Sequence, residues 1–232
     1  MKLLLTSSGI TNPSIEEALV DLLGKPIADS SALVVPTAIY PFPEGPDGAW
    51  RAISGQTKHP FSGLGWKSLG VLELTALPTI KEESWVPLLR QTDALLIWGG
   101  HVMYLCYWMR QSGLAELLPT LSKTVYVGVS AGSIAMTPHN PDVEFNLGWI
   151  PPGSDLAREG DRGLGLVDFA LTVHVDREGF NTSADVEKWA SGIPVPTYAL
   201  DDETAVKVAG NNVEVVSEGN WTLFTPLANG AD

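Results

Sequence analysis

A serine framed by two glycines, directly after a buried-strand pattern, is the feature that most constrains this chain. Residues 128–132 read Gly-Val-Ser-Ala-Gly, with the apolar run 124–127 before them and the helix-compatible segment 133–136 after them. Strand, Gly-x-Ser-x-Gly and helix in this order are typical of a nucleophile elbow, a tight turn that presents the serine hydroxyl beyond the sheet edge. Glycines let the neighbouring backbone approach without a Cβ clash, and the helix directs its free amides at the same point. The pattern predicts a nucleophilic Ser130 in an α/β fold.

The rest of the chain alternates short apolar runs with helix-like stretches, which is typical of βαβ units around a mainly parallel sheet. The candidate strands of this sheet are residues 2–6, 32–36, 94–98, 124–129 and 169–174. A closing set predicts antiparallel hairpins with turns at 211–212 and 219–220, and its strands are 198–200, 205–208, 213–216 and 221–224.

Helix punctuation is clearest near the N-terminus. Asn12 predicts an N-cap, Pro13 suits a first turn, and Gly24 predicts the end of the helix. Two further helices are predicted over about 101–112 and 183–192. We read residues 40–48 and 138–163 as loops, and the second is long enough to form a lid over a site.

Composition excludes several classes of function. The 232 residues, 44% of them hydrophobic, fit a single domain over 1–232, and the net charge of −13 argues against nucleic acid and anionic membranes as partners. The chain has no apolar run long enough to span a bilayer, and its apolar N-terminus is too short for a signal peptide. Four scattered histidines and one cysteine have no metal-ligand spacing, so we expect no metal or cofactor. We expect a cytoplasmic monomer or homodimer.

A nucleophilic serine needs a base and an acid that orients the base. His174 ends the strand-like run 169–173, whose C-terminal end opens on the same sheet edge as Ser130 if the strands are parallel. We favour it as the base, and a partly buried structural histidine is the alternative. The run 201–203, Asp-Asp-Glu, places three carboxylates between two apolar runs and is the candidate source of the acid. This order, serine then histidine then acid, differs from that of the α/β-hydrolases.

Four segments together resemble the peptidase E family, which holds the serine-dependent aspartyl dipeptidases and, more distantly, the cyanophycinases. They are 98–101 (Trp-Gly-Gly-His), 128–132, 163–167 (Gly-Leu-Gly-Leu-Val) leading to His174, and 200–205 (Leu-Asp-Asp-Glu-Thr-Ala). The resemblance covers nearly the whole chain in order and spacing. It implies a three-layer α/β sandwich of the class I glutamine-amidotransferase-like (flavodoxin-like) type, with Ser130 where amidotransferases carry cysteine.

The resemblance also implies roles for individual residues. Ser130 would attack the substrate carbonyl, and His174 would accept its proton and pass it to the leaving amine. Asp202 matches the family's acid, with Glu203 and Asp142 as rivals. The amides of Gly99 and Ala131 would form the oxyanion hole.

The sequence departs from the family at the substrate site. Trp98 and His101 replace the first glycine and the asparagine of the family's Gly-Gly-Gly-Asn segment, so Trp98, Gly100 and His101 are candidate substrate-binding residues. The arginine-rich stretch that follows the histidine in aspartyl dipeptidases is missing over 180–189, and Arg177 is the nearest replacement.

A strict Asp-X preference is therefore doubtful. The sequence predicts a serine peptidase of dipeptidase or exopeptidase type that acts on short peptides. A hydrolase of a non-standard amide, isopeptide or ester is one alternative. A non-catalytic module that binds a small ligand on the same fold is the other.

Overall fold

The computed structural model describes residues 1–58, 61–141, 149 and 162–226, in which strands alternate with helices. The strands are β1 (Lys2–Thr6), β2 (Ser31–Val35), β3 (Ser68–Val71), β4 (Ala94–Ile97), β5 (Val125–Val129), β6 (Ala170–Thr172), β7 (Thr197–Leu200), β8 (Thr204–Ala209), β9 (Asn212–Ser217) and β10 (Trp221–Phe224). The helices are α1 (Pro13–Leu23), α2 (Gly45–Ser54), α3 (Glu82–Gln91), α4 (Val102–Gln111), α5 (Leu114–Leu117), α6 (Ala131–Ile134) and α7 (Ser183–Ala190).

A seven-stranded sheet in the order β3-β2-β4-β5-β1-β8-β9 forms the centre of the protein. The first five strands are parallel to their neighbours, whereas β8 runs antiparallel to β1 and β9 antiparallel to β8. Parallel neighbours need crossover connections, which the intervening helices provide. The α/β class with a mainly parallel sheet is confirmed.

Helices cover both faces of this sheet. In β1, Leu3 and Leu5 belong to the same buried cluster as Leu105 of α4, whereas Leu4 belongs to the opposite cluster with Leu19 of α1. Successive side chains of a strand point to opposite faces, so one leucine-rich strand serves both cores. Each fully buried leucine contributes about 1.5–3 kcal/mol to folding. The three-layer arrangement predicted from the resemblance is therefore observed.

Helix α1 follows its sequence signals closely. The Asn12 side chain accepts a hydrogen bond from the Ile15 N–H (3.0 Å), and Gly24 ends the helix with a φ of 70°. The Asn12 Nδ2 also donates to the Glu203 carbonyl (2.9 Å), which ties the start of α1 to the acidic turn between β7 and β8.

Two predictions about the C-terminal half are wrong. Strand β6 lies in a separate three-stranded sheet, β10-β7-β6, where it pairs in parallel with β7, so its end does not belong to the sheet edge that carries Ser130. Strand β10 pairs with β7 and makes no hairpin with β9. The Asp201 N–H donates to the Asn220 carbonyl (3.2 Å), and the Asn220 N–H donates to the Asp201 carboxylate, so the chain joins the second sheet at this point. The β8–β9 hairpin does form, with its turn at Gly210 and Asn211.

The loop prediction for 40–48 is wrong in part, because α2 begins at Gly45. Pro46 lies in the first turn of α2, where a missing N–H costs nothing, so the Pro- and Gly-rich composition misled the prediction. Most of the second predicted loop, 138–163, lies outside the described residues, and so does the question whether it forms a lid.

Candidate active site

The turn between β5 and α6 holds Ser130 in an unusual conformation, with φ of 51° and ψ of −113°. A Cβ on Gly128 would lie 2.7 Å from the backbone of Gly132, and a Cβ on Gly132 would lie 2.6 Å from the Ile97 carbonyl oxygen. Both positions therefore require glycine for steric reasons. The Ser130 N–H donates to the Thr6 carbonyl of β1 (3.1 Å), which fixes the turn against the sheet.

Two backbone amides lie beside Ser130. Gly99, two residues after β4, approaches so closely that a Cβ there would be 3.1 Å from the Ser130 Cβ, and Ala131 begins α6. Within the described part of the chain, neither the Gly99 N–H nor the Ala131 N–H donates a hydrogen bond. Unused N–H groups at this position are available to an oxygen on an attacked carbonyl.

His174 reaches the same place from the second sheet, just beyond β6. It has a φ of 56°, uncommon for a residue with a Cβ, and its side chain is 9% exposed. Its Nδ1 lies 2.5 Å from the Asp202 Oδ1, and its backbone N–H donates to the Ser7 Oγ (2.9 Å).

The three adjacent carboxylates have different partners. Asp201 accepts hydrogen bonds from the Glu203 N–H (3.0 Å) and the Thr204 hydroxyl (2.7 Å), which makes it part of the turn itself. Glu203 accepts from the Asn12 side chain (3.2 Å). Asp202 is the member of the run that contacts His174. Asp142, the remaining candidate acid, lies outside the described residues.

Asp202 is ionised more readily than an ordinary aspartate. Partial burial opposes its charge, but the hydrogen bond and charge of His174 and the charge of Arg177 outweigh burial and hold the pKa of Asp202 below its usual value. The Arg177 Nη1 lies 3.4 Å from the Asp202 Oδ2, and its guanidinium stands 5.0 Å from the centre of the Phe180 ring. An ionised Asp202 favours the His174 tautomer that carries its proton on Nδ1.

Ser130, His174 and Asp202 line one cavity of about 380 Å³. The other lining residues are Ser8, Thr57, Lys58, Trp98, Gly99, Val129 and Arg177. Trp98 and Arg177 were expected here from the sequence. Sequence reasoning missed Ser8, Thr57 and Lys58. The position of Ser8 just after β1, at the carboxyl edge of the parallel strands, was a usable signal, whereas nothing in the local pattern marks Thr57 or Lys58.

Two predicted substrate-binding residues are not among those that line the cavity. His101 is 3% exposed and caps α4, where its Nδ1 accepts the Tyr104 N–H (3.2 Å). Gly100 has a φ of 143°, and a Cβ on it would collide with the Ala38 carbonyl. Glycine at this position therefore lets the segment after β4 contact the segment after β2. Trp149 is likewise not among the lining residues; its ring packs edge-on against Tyr104, with ring centroids 4.7 Å apart.

Three further observations on the described part of the chain concern metal ions, membranes and the cysteine. No group of three histidine, cysteine or carboxylate side chains there is arranged to hold a metal ion. None of the helices described has the length and apolar character needed to cross a bilayer. Cys106 is fully buried in α4, and burial raises the pKa of its thiol to about 12, so it is a poor nucleophile.

Comparison with known proteins places the chain in a class and then in a family. The chain is a serine peptidase, and it belongs to peptidase family S51, whose family model matches residues 3–216. The resemblance to peptidase E is thus confirmed. A search of curated proteins returned no significant match.

Two solved structures share the fold. A provisionally assigned peptidase E from Listeria monocytogenes EGD-e is 20% identical, with a TM-score of 0.63 over 94% of this chain and 98% of that one. A peptidase from an acI-B1 actinobacterium is 18% identical, with a TM-score of 0.65 over 97% of this chain and 94% of that one. At these identities the structures establish the fold alone.

Proposed function

We propose that this serine peptidase is of the dipeptidase or exopeptidase type and cleaves short peptides through an acyl-enzyme on Ser130. The observation that carries the proposal is the His174–Asp202 pair, joined at 2.5 Å, on the wall of the cavity that also contains the strained Ser130. A nucleophile, a base and an acid oriented on that base are the set that acyl transfer requires.

We propose a separate task for each nitrogen of His174. Because Nδ1 is engaged by Asp202, Nε2 is the nitrogen that accepts the proton of Ser130 as its Oγ attacks the substrate carbonyl. The ionised Asp202 stabilises the imidazolium that results. His174 then returns the proton to the leaving amine, the C–N bond breaks, and water activated by the same imidazole releases the acyl group from Ser130.

The negative charge that develops on the carbonyl oxygen is assigned to the N–H groups of Gly99 and Ala131. Both flank Ser130, and neither donates a hydrogen bond within the described residues. In serine enzymes, loss of one such donor lowers kcat about 100- to 1,000-fold.

The volume and lining of the cavity support a proposal about the size and charge of the substrate. A volume of about 380 Å³ accommodates a few residues, which favours short peptides over folded proteins. Arg177 is already engaged by Asp202 and Phe180, so it is not a free guanidinium clamp for an aspartyl side chain. Trp98 offers an indole wall, and Lys58 adds one positive charge. We therefore propose a preference broader than Asp-X, with apolar first residues accepted.

A library of di- and tripeptides, incubated with the purified wild type and with Ser130→Ala, tests this function. Ser30→Ala is the control for loss of a serine hydroxyl, since Ser30 does not line the cavity and its hydroxyl donates to the Pro26 carbonyl (3.0 Å) between α1 and β2. We expect cleavage by the wild type and the control and none by Ser130→Ala. Cleavage of Asp-X alone would contradict the broader preference.

The same experiment separates the alternatives. If no peptide is cleaved but a serine-directed probe labels Ser130, the substrate is a non-standard amide or an ester. If neither peptide cleavage nor labelling occurs, the chain is a binding module and the proposed function fails.

A further inference from the structure

Ser7 is a buried polar residue at the site that the chemistry above does not use. It follows β1 directly, its side chain is inaccessible to solvent, and its N–H donates to the Thr204 carbonyl (3.1 Å). We propose that Ser7 is a positioning residue whose hydroxyl fixes both His174 and Asp202 relative to Ser130. This inference rests on the proposed function.

The hydroxyl has one proton to give, and its neighbours determine where that proton goes. It accepts the backbone N–H of His174 at 2.9 Å. It lies 3.5 Å from the His174 Nδ1, which is itself the donor to Asp202, so no acceptor is available there. The Ser7 proton therefore points to the Asp202 Oδ1, at a long 3.4 Å. One side chain thus holds the backbone of the base and the carboxylate that orients it.

His174 needs such an anchor because its backbone is strained. A non-glycine residue at a φ of 56° costs on the order of 1–3 kcal/mol and persists only where its surroundings hold it. The Ser7 hydroxyl supplies that restraint at the amide of the strained residue itself.

The anchor also joins the two sheets. Ser130 stands on the seven-stranded sheet and His174 on the three-stranded one, so no shared strand sets the distance between nucleophile and base. The last residue of β1 and the residue after it bridge that gap. The Thr6 carbonyl accepts the Ser130 N–H at 3.1 Å, and the Ser7 hydroxyl accepts the His174 N–H at 2.9 Å. Residues 6 and 7 therefore hold both Ser130 and His174 in place relative to β1.

The test is a double-mutant cycle on kcat and KM with the best peptide from the library. Ser7→Ala is measured in the wild type and in His174→Ala, with Ser30→Ala as the control for loss of a buried serine hydroxyl. Misplacement of a reacting group by about 1 Å typically costs about 100-fold in rate, so we expect Ser7→Ala to lower kcat about 10- to 100-fold with KM nearly unchanged. In the His174→Ala background we expect a further loss of less than about 3-fold, because the base that Ser7 and Asp202 position is no longer present.

Equal losses in both backgrounds would show that Ser7 acts on the fold and not through the His174–Asp202 pair, and would overturn the inference. An unchanged kcat in Ser7→Ala would also overturn it. If Ser7→Ala does not fold, Ser7→Cys takes its place, because a thiol keeps the approximate shape but is only a weak hydrogen-bond donor and acceptor. A wild-type kcat in that variant would overturn the inference as well. Activity that survives Ser130→Ala would instead refute the proposed function.

Discussion

At the scale of single residues, backbone strain is concentrated at the candidate site. Within the described residues, the non-glycine positions with a positive φ are Ser130, His174 and Asp176. Asp176 has a local partner, since its carboxylate binds the N–H and hydroxyl of Ser183 at the start of α7. The other two are the proposed nucleophile and base. Strain of this kind costs stability and is typical of functional sites.

Gly99 lies close to Ser130, and its N–H is also one of the two proposed oxyanion-hole donors. In Gly99→Ala, the new methyl group would lie 3.1 Å from the Ser130 Cβ and 3.2 Å from the Val129 carbonyl oxygen. We expect the displaced Ser130 to lower kcat about 100-fold while the protein stays folded. Gly192→Ala is the control, because its Cβ would make only an ordinary 3.5 Å contact. Full activity of Gly99→Ala with peptide substrates would contradict the assignment of this corner.

Asp202 links the site to the pH dependence of stability. Because its pKa is lower in the folded chain than in the unfolded one, its charge stabilises the fold above the ordinary aspartate pKa of 3.8, and this contribution disappears as the pH falls through the folded-state value. We expect the difference in unfolding free energy between the wild type and Asp202→Asn to shrink as the pH falls from about 6 to about 3.

Urea unfolding at several pH values measures this difference, and Glu17→Gln, on the exposed face of α1, is the control. A difference that does not change with pH would mean that the His174–Asp202 contact does not depend on the charge of Asp202.

At the scale of secondary-structure elements, the strand–turn–helix around Ser130 depends on glycine at two close contacts. In Gly128→Ala, the Cβ would lie 2.7 Å from the carbonyl group of Gly132 and 2.8 Å from the Ser133 nitrogen, all backbone atoms that cannot rotate away. We expect a loss of about 3 kcal/mol in unfolding free energy and loss of peptide cleavage. Gly192→Ala again serves as the control in urea unfolding. A stable, active Gly128→Ala would refute the steric account of the turn.

The elements predicted best were those with local signals. The pattern around Ser130 and the caps of α1 each depend on residues that are close together in the sequence, so they could be predicted from the sequence alone. Helix α2 was missed because its first turn contains glycine and proline, and β3 because Ser68–Val71 is a short edge strand with a glycine. Their stability comes from neighbours distant in sequence, which local propensity does not record.

At the scale of the whole molecule, the candidate site forms where two sheets meet. The sequence pointed to His174 on the assumption that its strand joined the main sheet, whereas β6 belongs to the second sheet. Strand pairing between β6 and β7 depends on partners about 27 residues apart, and no local pattern specifies it. For the same reason the local pattern could not choose among Asp201, Asp202 and Glu203; the resemblance favoured Asp202, and the fold determines the direction of each side chain.

The small sheet offers a test of this coupling. Phe224 of β10 packs against Val175, the residue after His174, together with Val186 and Ala199. Phe224→Ala should remove about 1–2 kcal/mol of unfolding free energy, since the side chain is only partly buried, and should lower kcat by loosening the support of His174. Leu223→Ala is the control in the same strand, because Leu223 is 41% exposed, and it should change stability by less than about 0.5 kcal/mol. Equal effects of the two substitutions, in urea unfolding and kcat, would contradict this view of the second sheet.

The most direct test of whether Ser130 is the nucleophile is to locate the covalent adduct that the protein forms with a fluorophosphonate probe. The wild type should gain one probe mass, and peptide mapping should place it on Ser130 and on no other serine. His174→Ala should react far more slowly, and Ser130→Ala should not react at all. An adduct on a different residue, or peptide cleavage that persists in Ser130→Ala, would show that Ser130 is not the nucleophile.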